Sequence, residues 1–453
     1  MKNIILSAFA AALLLGAMSL VNTACASERS PAGSETVRLR VDLDRGVLRA
    51  GRTERAVIKI GLDAIARTSD RKRAPVNLAV VIDRSGSMSG GKIEQAREAA
   101  LELVRRLSSD DIVALVAYDN RAEVLVPAQR VGNGRRLEEA IREISANGGT
   151  ALYHGVALGA SEVRRHFGER GTVNRVLLLS DGQANVGPAS PAELGRLGAS
   201  LVSEGISVTT VGLGLGFNED LMSRLAQASD GNTYFVEHER DLPRIFAAEL
   251  GDVLNVVARR VTVEIDFPAG VRPIAFVGRE GTIRGNRAEL SLNQLYGGQE
   301  KFALIEVEVD AGSAGAEREI ARARVSYEDA FTQATVSASA ERKVQFSRDE
   351  AEVVASADHK VQADYATNAL AVAKLAAVEL VDAGRKDEAA AVVRERAKEL
   401  ARTADTYSNP MVRQVAAAAA PEADRLEREG LDNASRKAYR TENSQIMNQQ
   451  NSR

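Results

Sequence analysis

The chain of 453 residues carries 59 Lys and Arg against 62 Asp and Glu, for a formal net charge of −3. This balance argues against a nucleic-acid partner, because phosphate binding needs a concentrated basic face. The length exceeds what one hydrophobic core supports, and it predicts several domains. With no Trp and an aromatic share of 4%, the cores are expected to consist of aliphatic side chains.

Residues 1–26 have the pattern of a signal peptide. Lys2 supplies the positive charge, residues 4–21 form an apolar stretch, and Ala24-Cys25-Ala26 is a small-x-small cleavage pattern. We therefore expect export to the periplasm or cell envelope. Two variants stay open: an uncleaved membrane anchor, and lipid attachment at Cys25, although Asn22 stands where a lipidation signal usually has an apolar residue. Cys25 is the only cysteine, so no intramolecular disulfide is expected.

Residues 27–74 contain two alternating apolar and polar runs, at 37–41 and 56–60, which predict half-buried strands. Residues 68–73 are a charged linker. The same alternation returns in residues 258–346, with runs at 261–265, 302–307 and 334–338. An isolated hairpin is only marginally stable. We therefore expect the early strands to join the later ones in a split antiparallel β domain.

Residues 75–257, which separate the two halves, have a different pattern. A continuous apolar run at 77–82 is typical of a central parallel strand covered on both faces. Further strand runs at 112–116, 176–179 and 208–211 alternate with segments of helical periodicity. Strands that alternate with helices predict an α/β fold, a doubly wound, Rossmann-like domain inserted into the β domain.

Residues 347–453 predict an α-helical C-terminal region. Residues 363–380 and 386–400, separated by Gly384, are expected to form an αα-hairpin, and a further helix is expected at 411–429. The tail from Asn443 is rich in Gln, Asn and Ser and is predicted to be disordered.

Oxygen-bearing side chains mark three loops of the α/β segment. Asp83, Ser85 and Ser87 follow the first strand at alternate positions, Thr150 follows Gly148-Gly149, and Asp181 ends the strand run that includes 176–179. In a doubly wound sheet, ligands bind at the carboxyl ends of strands where the strand order reverses. Hard divalent cations prefer oxygen ligands. The five residues therefore predict one metal site.

This order of motifs resembles the metal-ion-dependent adhesion site of von Willebrand factor A (VWA) domains. The resemblance covers about 180 residues, and the flanking strands and Ala-rich C-terminus are similar to exported bacterial VWA proteins. It implies that Ser85, Ser87 and Thr150 contribute hydroxyl oxygens, while Asp83 and Asp181 act directly or through water. The implied cofactor is a divalent cation, foremost Mg²⁺, with Mn²⁺ or Ca²⁺ as alternatives.

Such a ligand set suggests how the site is used. Three neutral hydroxyls and two carboxylates leave a divalent ion electrophilic, so that an Asp or Glu of a protein partner can complete its shell. We therefore expect a metal-dependent protein-binding module for adhesion or envelope-complex assembly, and no enzyme.

Three alternatives compete with this interpretation. The Asp83–Ser87 cluster is also the composition of a simple helix-capping turn. Residues 86–93 nearly form a P-loop for a nucleotide-binding enzyme, but Ile93 replaces the Ser or Thr that would hold Mg²⁺. In that case Lys92 would contact phosphates; otherwise it is expected to be an exposed residue of the first helical turn. Finally, the chain could be a scaffold with a vestigial metal site.

Overall fold

A computed structural model describes residues 36–66, 73–167 and 171–450. The candidate signal peptide and, except for Arg73, the charged linker lie outside this part of the chain. Within it, no helix combines the length and the apolar character that crossing a membrane requires.

The central layer is a six-stranded sheet whose order is β6-β5-β4-β7-β8-β9. Its strands are β4 (Val76–Asp83), β5 (Ile112–Tyr118), β6 (Ala122–Arg130), β7 (Val173–Ser180), β8 (Ile206–Leu213) and β9 (Thr233–Val236). Only β6 runs antiparallel. Strand order reverses between β4 and β7, which pair directly, so their carboxyl ends lie side by side.

Helices cover both faces of this sheet. They are α1 (Gly91–Arg106), α2 (Arg135–Glu143), α3 (Leu152–Arg164), α4 (Pro191–Ser203), α5 (Glu219–Ala228) and α6 (Leu242–Val253). Helices α1, α2 and α6 share one apolar core with the sheet, and α3, α4 and α5 share another. Every residue of β4 is buried as a result, which explains its unbroken apolar run. The predicted doubly wound fold is confirmed.

The early strands pair with later ones, as predicted. One sheet has the order β1-β3-β14-β11, with β1 (Val37–Leu43), β3 (Glu54–Ala64), β11 (Val271–Val277) and β14 (Glu300–Val309). A second has the order β12-β13-β10-β15-β16-β2, with β2 (Val47–Arg49), β10 (Val256–Asp266), β12 (Thr282–Arg284), β13 (Arg287–Tyr296), β15 (Glu317–Asp329) and β16 (Thr335–Ser347). A shared aliphatic core joins both sheets. The α/β domain is inserted between β3 and β10.

The C-terminal region is helical: α7 (Glu350–Ala355), α8 (His359–Asp382), α9 (Lys386–Thr406), α10 (Pro410–Glu429) and α11 (Asn433–Met447). Helices α8 and α9 form the predicted hairpin around Gly384.

The prediction of a disordered tail from Asn443 is wrong as far as residue 450. Asn443 and Ser444 are buried in α11, and the Gln450 side chain forms hydrogen bonds with both the backbone N–H and the carbonyl of Thr233 in β9. A polar tail orders here because remote backbone groups satisfy its amides. Residues 451–453 lie outside the described part.

Candidate metal-binding site

The loop after β4 fixes the first carboxylate of the candidate site. Asp83 is fully buried. One of its oxygens accepts a hydrogen bond from the Ser85 backbone N–H at 2.8 Å, and the other accepts from the Ser180 hydroxyl at 2.7 Å. These two bonds set the orientation of the Asp83 carboxylate, one from the loop that follows it and one from the neighbouring strand β7.

Two serine hydroxyls connect this loop to the end of β7. Ser85 Oγ and Ser87 Oγ lie 3.0 Å apart, and Ser87 Oγ donates to Asp181 Oδ1 at 2.7 Å. Ser85 and Asp181 are buried, whereas Ser87 is exposed. The cluster therefore opens to the surface at Ser87.

Thr150 reaches the cluster because hydrogen bonds tie its loop to two neighbouring segments. Gly86 N–H donates to Gly148 O at 3.0 Å, and Thr150 N–H donates to Asn185 Oδ1 at 2.9 Å. Gly148 has φ +79°, and a β-carbon there would lie 2.8 Å from the Asn120 side chain, so a glycine is required. The two glycines of the Gly-Gly-Thr motif thus allow the 148–150 loop to approach the loop after β4 closely.

Gly182 shows that the predicted residues converge. A β-carbon at this position would lie 3.1 Å from Thr150 Oγ1 and 3.3 Å from Ser87 Oγ. Together with the hydrogen bonds above, this places the side chains of all five predicted residues in one cluster beside the carboxyl ends of β4 and β7: Asp83, Ser85, Ser87, Thr150 and Asp181. A glycine leaves free the space that a side chain would fill.

Burial shapes the electrostatics of the cluster. It raises the pKa of Asp83 to about 6, against hydrogen bonds from Ser85 and Ser180 that lower it, and the nearby Asp181 carboxylate adds to the rise. Burial also raises the pKa of Tyr118 well above 10, and its hydroxyl donates to Leu179 O beneath the site. Two buried carboxylates in one cluster favour a cation beside them.

The donor set fits a hard divalent ion. Three hydroxyls and two carboxylates are oxygen ligands of the kind that Mg²⁺ takes together with water. In the described part of the chain, no three or more His, Cys, Asp or Glu side chains are grouped so that they could hold a metal ion.

Lys92 differs from the sequence-based expectation. Its side chain is only partly exposed, and its ammonium donates to Asp181 Oδ2 and, at 3.4 Å, to Ser87 O. The expectation of a simple exposed residue in the first turn of α1 is therefore wrong. The next residue, Ile93, is 6% exposed and packs in the core, so no hydroxyl stands where a P-loop requires one.

Sequence reasoning did not assign to the metal site four residues that contact the cluster or its loops: Ser180, Lys92, Asn120 and Asn185. Ser180 was detectable, because it precedes Asp181 at the end of a buried strand. Asn120 and Asn185 orient the backbone of the 148–150 loop, and nothing in their local sequence signals this contact.

A doubly wound sheet with hydroxyls and carboxylates at its switch point is a domain suited to holding a hard cation. Residues 77–248 match the family model described as "von Willebrand factor type A domain". The chain therefore carries a VWA domain in this segment, and the observed cluster is consistent with the metal-ion-dependent adhesion site of that family. VWA domains commonly mediate metal-dependent protein–protein interactions, bind divalent metals at this site, and are typically not enzymes.

Relatives include bacterial and animal proteins. An uncharacterized protein of Synechocystis sp. is 29% identical over 306 residues, 64% of this chain and 71% of the relative. The uncharacterized protein YfbK of Escherichia coli is 28% identical over 230 residues, 50% of this chain and 40% of the relative. Inter-alpha-trypsin inhibitor heavy chain H4 of Homo sapiens is 30% identical over 201 residues, 43% of this chain. The chain matches less than half the length of the latter two, 40% and 21%.

Two solved structures share the fold over most of the chain. A von Willebrand factor type A protein from Catenulispora acidiphila has a TM-score of 0.65 at 20% identity, over 82% of this chain and 89% of its own. The ArnB paralog VWA2 from Sulfolobus acidocaldarius has a TM-score of 0.62 at 17% identity, over 91% and 98%. At these identities the likeness concerns the fold alone.

Proposed function

We propose that this protein binds a protein partner through a divalent cation held by Asp83, Ser85, Ser87, Thr150 and Asp181, with Mg²⁺ as the ion. The observation that carries the proposal is the convergence of hydroxyls and carboxylates from three loops around Gly182. The signal-peptide pattern of residues 1–26 supports a place of action in the periplasm or cell envelope.

The carboxylates and the hydroxyls of the site have different roles in holding the cation. Asp83 and Asp181 supply negative charge, and their burial prevents water from screening it. Ser85, Ser87 and Thr150 supply neutral oxygens, so that the two carboxylates only balance the charge of a bound divalent ion. The cation, once bound, supplies a Lewis-acidic point at which an Asp or Glu of the partner binds.

The exposed position of Ser87 sets the direction of approach. A partner carboxylate enters from this side, and the surrounding loops supply the remaining contact area. A single charged contact gives specificity, whereas the area around it gives most of the affinity.

Metal binding by the full chain tests the proposal directly. Ser87→Ala removes one hydroxyl ligand, and we expect Mn²⁺ affinity to fall about tenfold or more, as measured by electron paramagnetic resonance. Ser89→Ala is the matched control, because Ser89 lies two residues on, with its hydroxyl bonded to Gly86 O and outside the cluster. Equal affinity in both variants contradicts the proposed site.

Partner binding is the second test. An acidic partner should remain bound to immobilised wild-type protein in Mg²⁺, be released by EDTA, and not bind Asp83→Ala. Tight ATP binding that survives Ser87→Ala would favour the nucleotide-binding alternative, and a partner that remains bound in EDTA would favour the scaffold alternative.

A further inference from the structure

The C-terminal helix α11 lies across the loop that follows β8. Lys437 of α11 is 2% exposed, and its ammonium donates to Phe217 O at 2.6 Å and forms an ion pair with Glu219. The same ammonium lies 4.5 Å from the centre of the Phe217 ring. Burial of a lysine costs free energy unless its ammonium is paired and hydrogen-bonded. The contacts with Phe217 and Glu219 meet this need, and they therefore hold α11 against this loop.

A second contact holds the same loop two residues earlier. Asn433, the first residue of α11, donates its side-chain amide to Leu215 O at 3.0 Å. Helix α11 therefore forms hydrogen bonds with the loop on both sides of Gly216.

Gly216 is the point at which this loop meets the candidate metal site. A β-carbon at Gly216 would lie 2.6 Å from Asp181 O, and Gly216 O accepts a hydrogen bond from the Gln183 side chain at 2.7 Å. The Asp181 backbone and the Gln183 side chain, on either side of Gly182, thus contact a loop that α11 holds in place.

Ion pairs strengthen the attachment of α11. Arg436 pairs with Glu219 and with Asp220, and Arg440 pairs with Asp220. Both carboxylates belong to the first turn of α5, where they also interact favourably with the helix dipole. Three cations of α11 thus face two acids that are adjacent to the loop.

We propose that Lys437 and Asn433 are positioning residues for the metal site, and that α11 sets metal affinity by holding the 214–217 loop against Asp181. The inference rests on the proposed metal-binding function. It adds that a helix outside the VWA domain, in the C-terminal region, controls the strength of that function.

The test compares two lysines in similar surroundings. Lys437→Met removes the ammonium that hydrogen-bonds to Phe217 O and pairs with Glu219. Lys59→Met is the matched control, because Lys59 of β3 is equally buried, pairs with Glu300 and Asp364, and lies 4.4 Å from the Phe302 ring centre, away from α11 and the loop. Two quantities are measured on the full chain: Mn²⁺ affinity, and hydrogen exchange of the amides at residues 213–217 without metal.

We expect Lys437→Met to bind Mn²⁺ about tenfold more weakly and to exchange the loop amides faster, while Lys59→Met behaves as wild type in both measurements. Asn433→Ala removes one bond from an exposed side chain, and it should weaken Mn²⁺ binding by a smaller factor. This variant replaces Lys437→Met if the latter does not fold.

The outcomes separate the two ideas. If wild type binds Mn²⁺ and the α11 variants bind it equally well, the positioning role is overturned while the metal site stands. Faster loop exchange with unchanged Mn²⁺ affinity overturns it as well. If wild type binds no Mn²⁺, the proposed function itself fails.

Discussion

At the scale of single residues, the candidate site combines buried acids with an ammonium. Lys92 contacts Asp181 Oδ2, an oxygen of a proposed metal ligand. A lysine in this position satisfies the buried carboxylate but also competes with a divalent cation for it, because both need the same oxygen.

Lys92→Met should therefore strengthen divalent-cation binding. We expect Mn²⁺ affinity to rise about fivefold, which corresponds to about 1 kcal/mol, since the charge is partly exposed and screened. Titration calorimetry at low and high salt measures the change, and the gain should shrink with salt. Lys386→Met, in the distant α9, is the control. An unchanged or weaker affinity in Lys92→Met would show that this lysine does not oppose the cation.

At the scale of elements, α3 determines the position of Thr150, because this helix begins two residues after it, at Leu152. The helix approaches the sheet closely through two glycines. A β-carbon at Gly159 would lie 2.6 Å from Val81 Cγ2, and one at Gly155 would lie 2.7 Å from Tyr118 Cδ1. Small residues on this face let α3 rest on β4 and β5.

Gly159→Ala should destabilise the protein by about 1–3 kcal/mol. Alanine favours a helix over glycine by about 1 kcal/mol, but overpacking against a strand side chain outweighs this gain. Urea unfolding measures the difference. Gly91→Ala in α1 is the control, since its new methyl would meet only the flexible Glu239 carboxylate, at 3.3 Å. A stabilised Gly159→Ala variant would show that α3 has room to move.

At the scale of the whole molecule, buried polar groups join the three parts of the chain. Arg175 of β7 is fully buried and donates to Thr209 in β8 and to Gln294 in β13. This contact ties the α/β domain to the β domain. Lys301 of β14 donates to Asn448 O at 2.9 Å, which ties the β domain to the C-terminal tail.

Lys301 predicts a pH dependence of stability. Burial, together with Arg279 and Arg175, lowers its pKa from 10.5 to about 8, although Asp230 and Asp252 act in the opposite direction. Between these two pH values the unfolded chain binds more protons than the folded protein, so the free energy of unfolding should rise with pH across this window, by at most about 3 kcal/mol.

Lys301→Met should remove this rise. The difference in unfolding free energy between wild type and variant, measured by urea at pH 7.5 and pH 10, should change in favour of wild type as pH increases. Lys343→Met, an exposed lysine of β16, should show no such change. A wild-type advantage that is independent of pH would contradict the lowered pKa of Lys301.

The amino-acid sequence by itself determined the α/β class, the split β domain and the five residues that converge at the switch point. These features follow from local periodicity and from residues placed at strand ends, and both act within a few residues of the chain. The sequence did not predict strands β6 and β9. Strand β9 has only four residues, too few for a periodic signal, and β6 contains Pro127, which is uncommon within strands.

Only the tertiary structure decided the roles of Lys92, Asn185, Lys437 and the polar tail. Each of these polar side chains gains its partner from a segment far away in the chain, as Gln450 does from Thr233. A polar residue has the same local signature whether water or a remote backbone group satisfies it. Periodicity reports burial of apolar faces, and it carries no information on which distant groups meet.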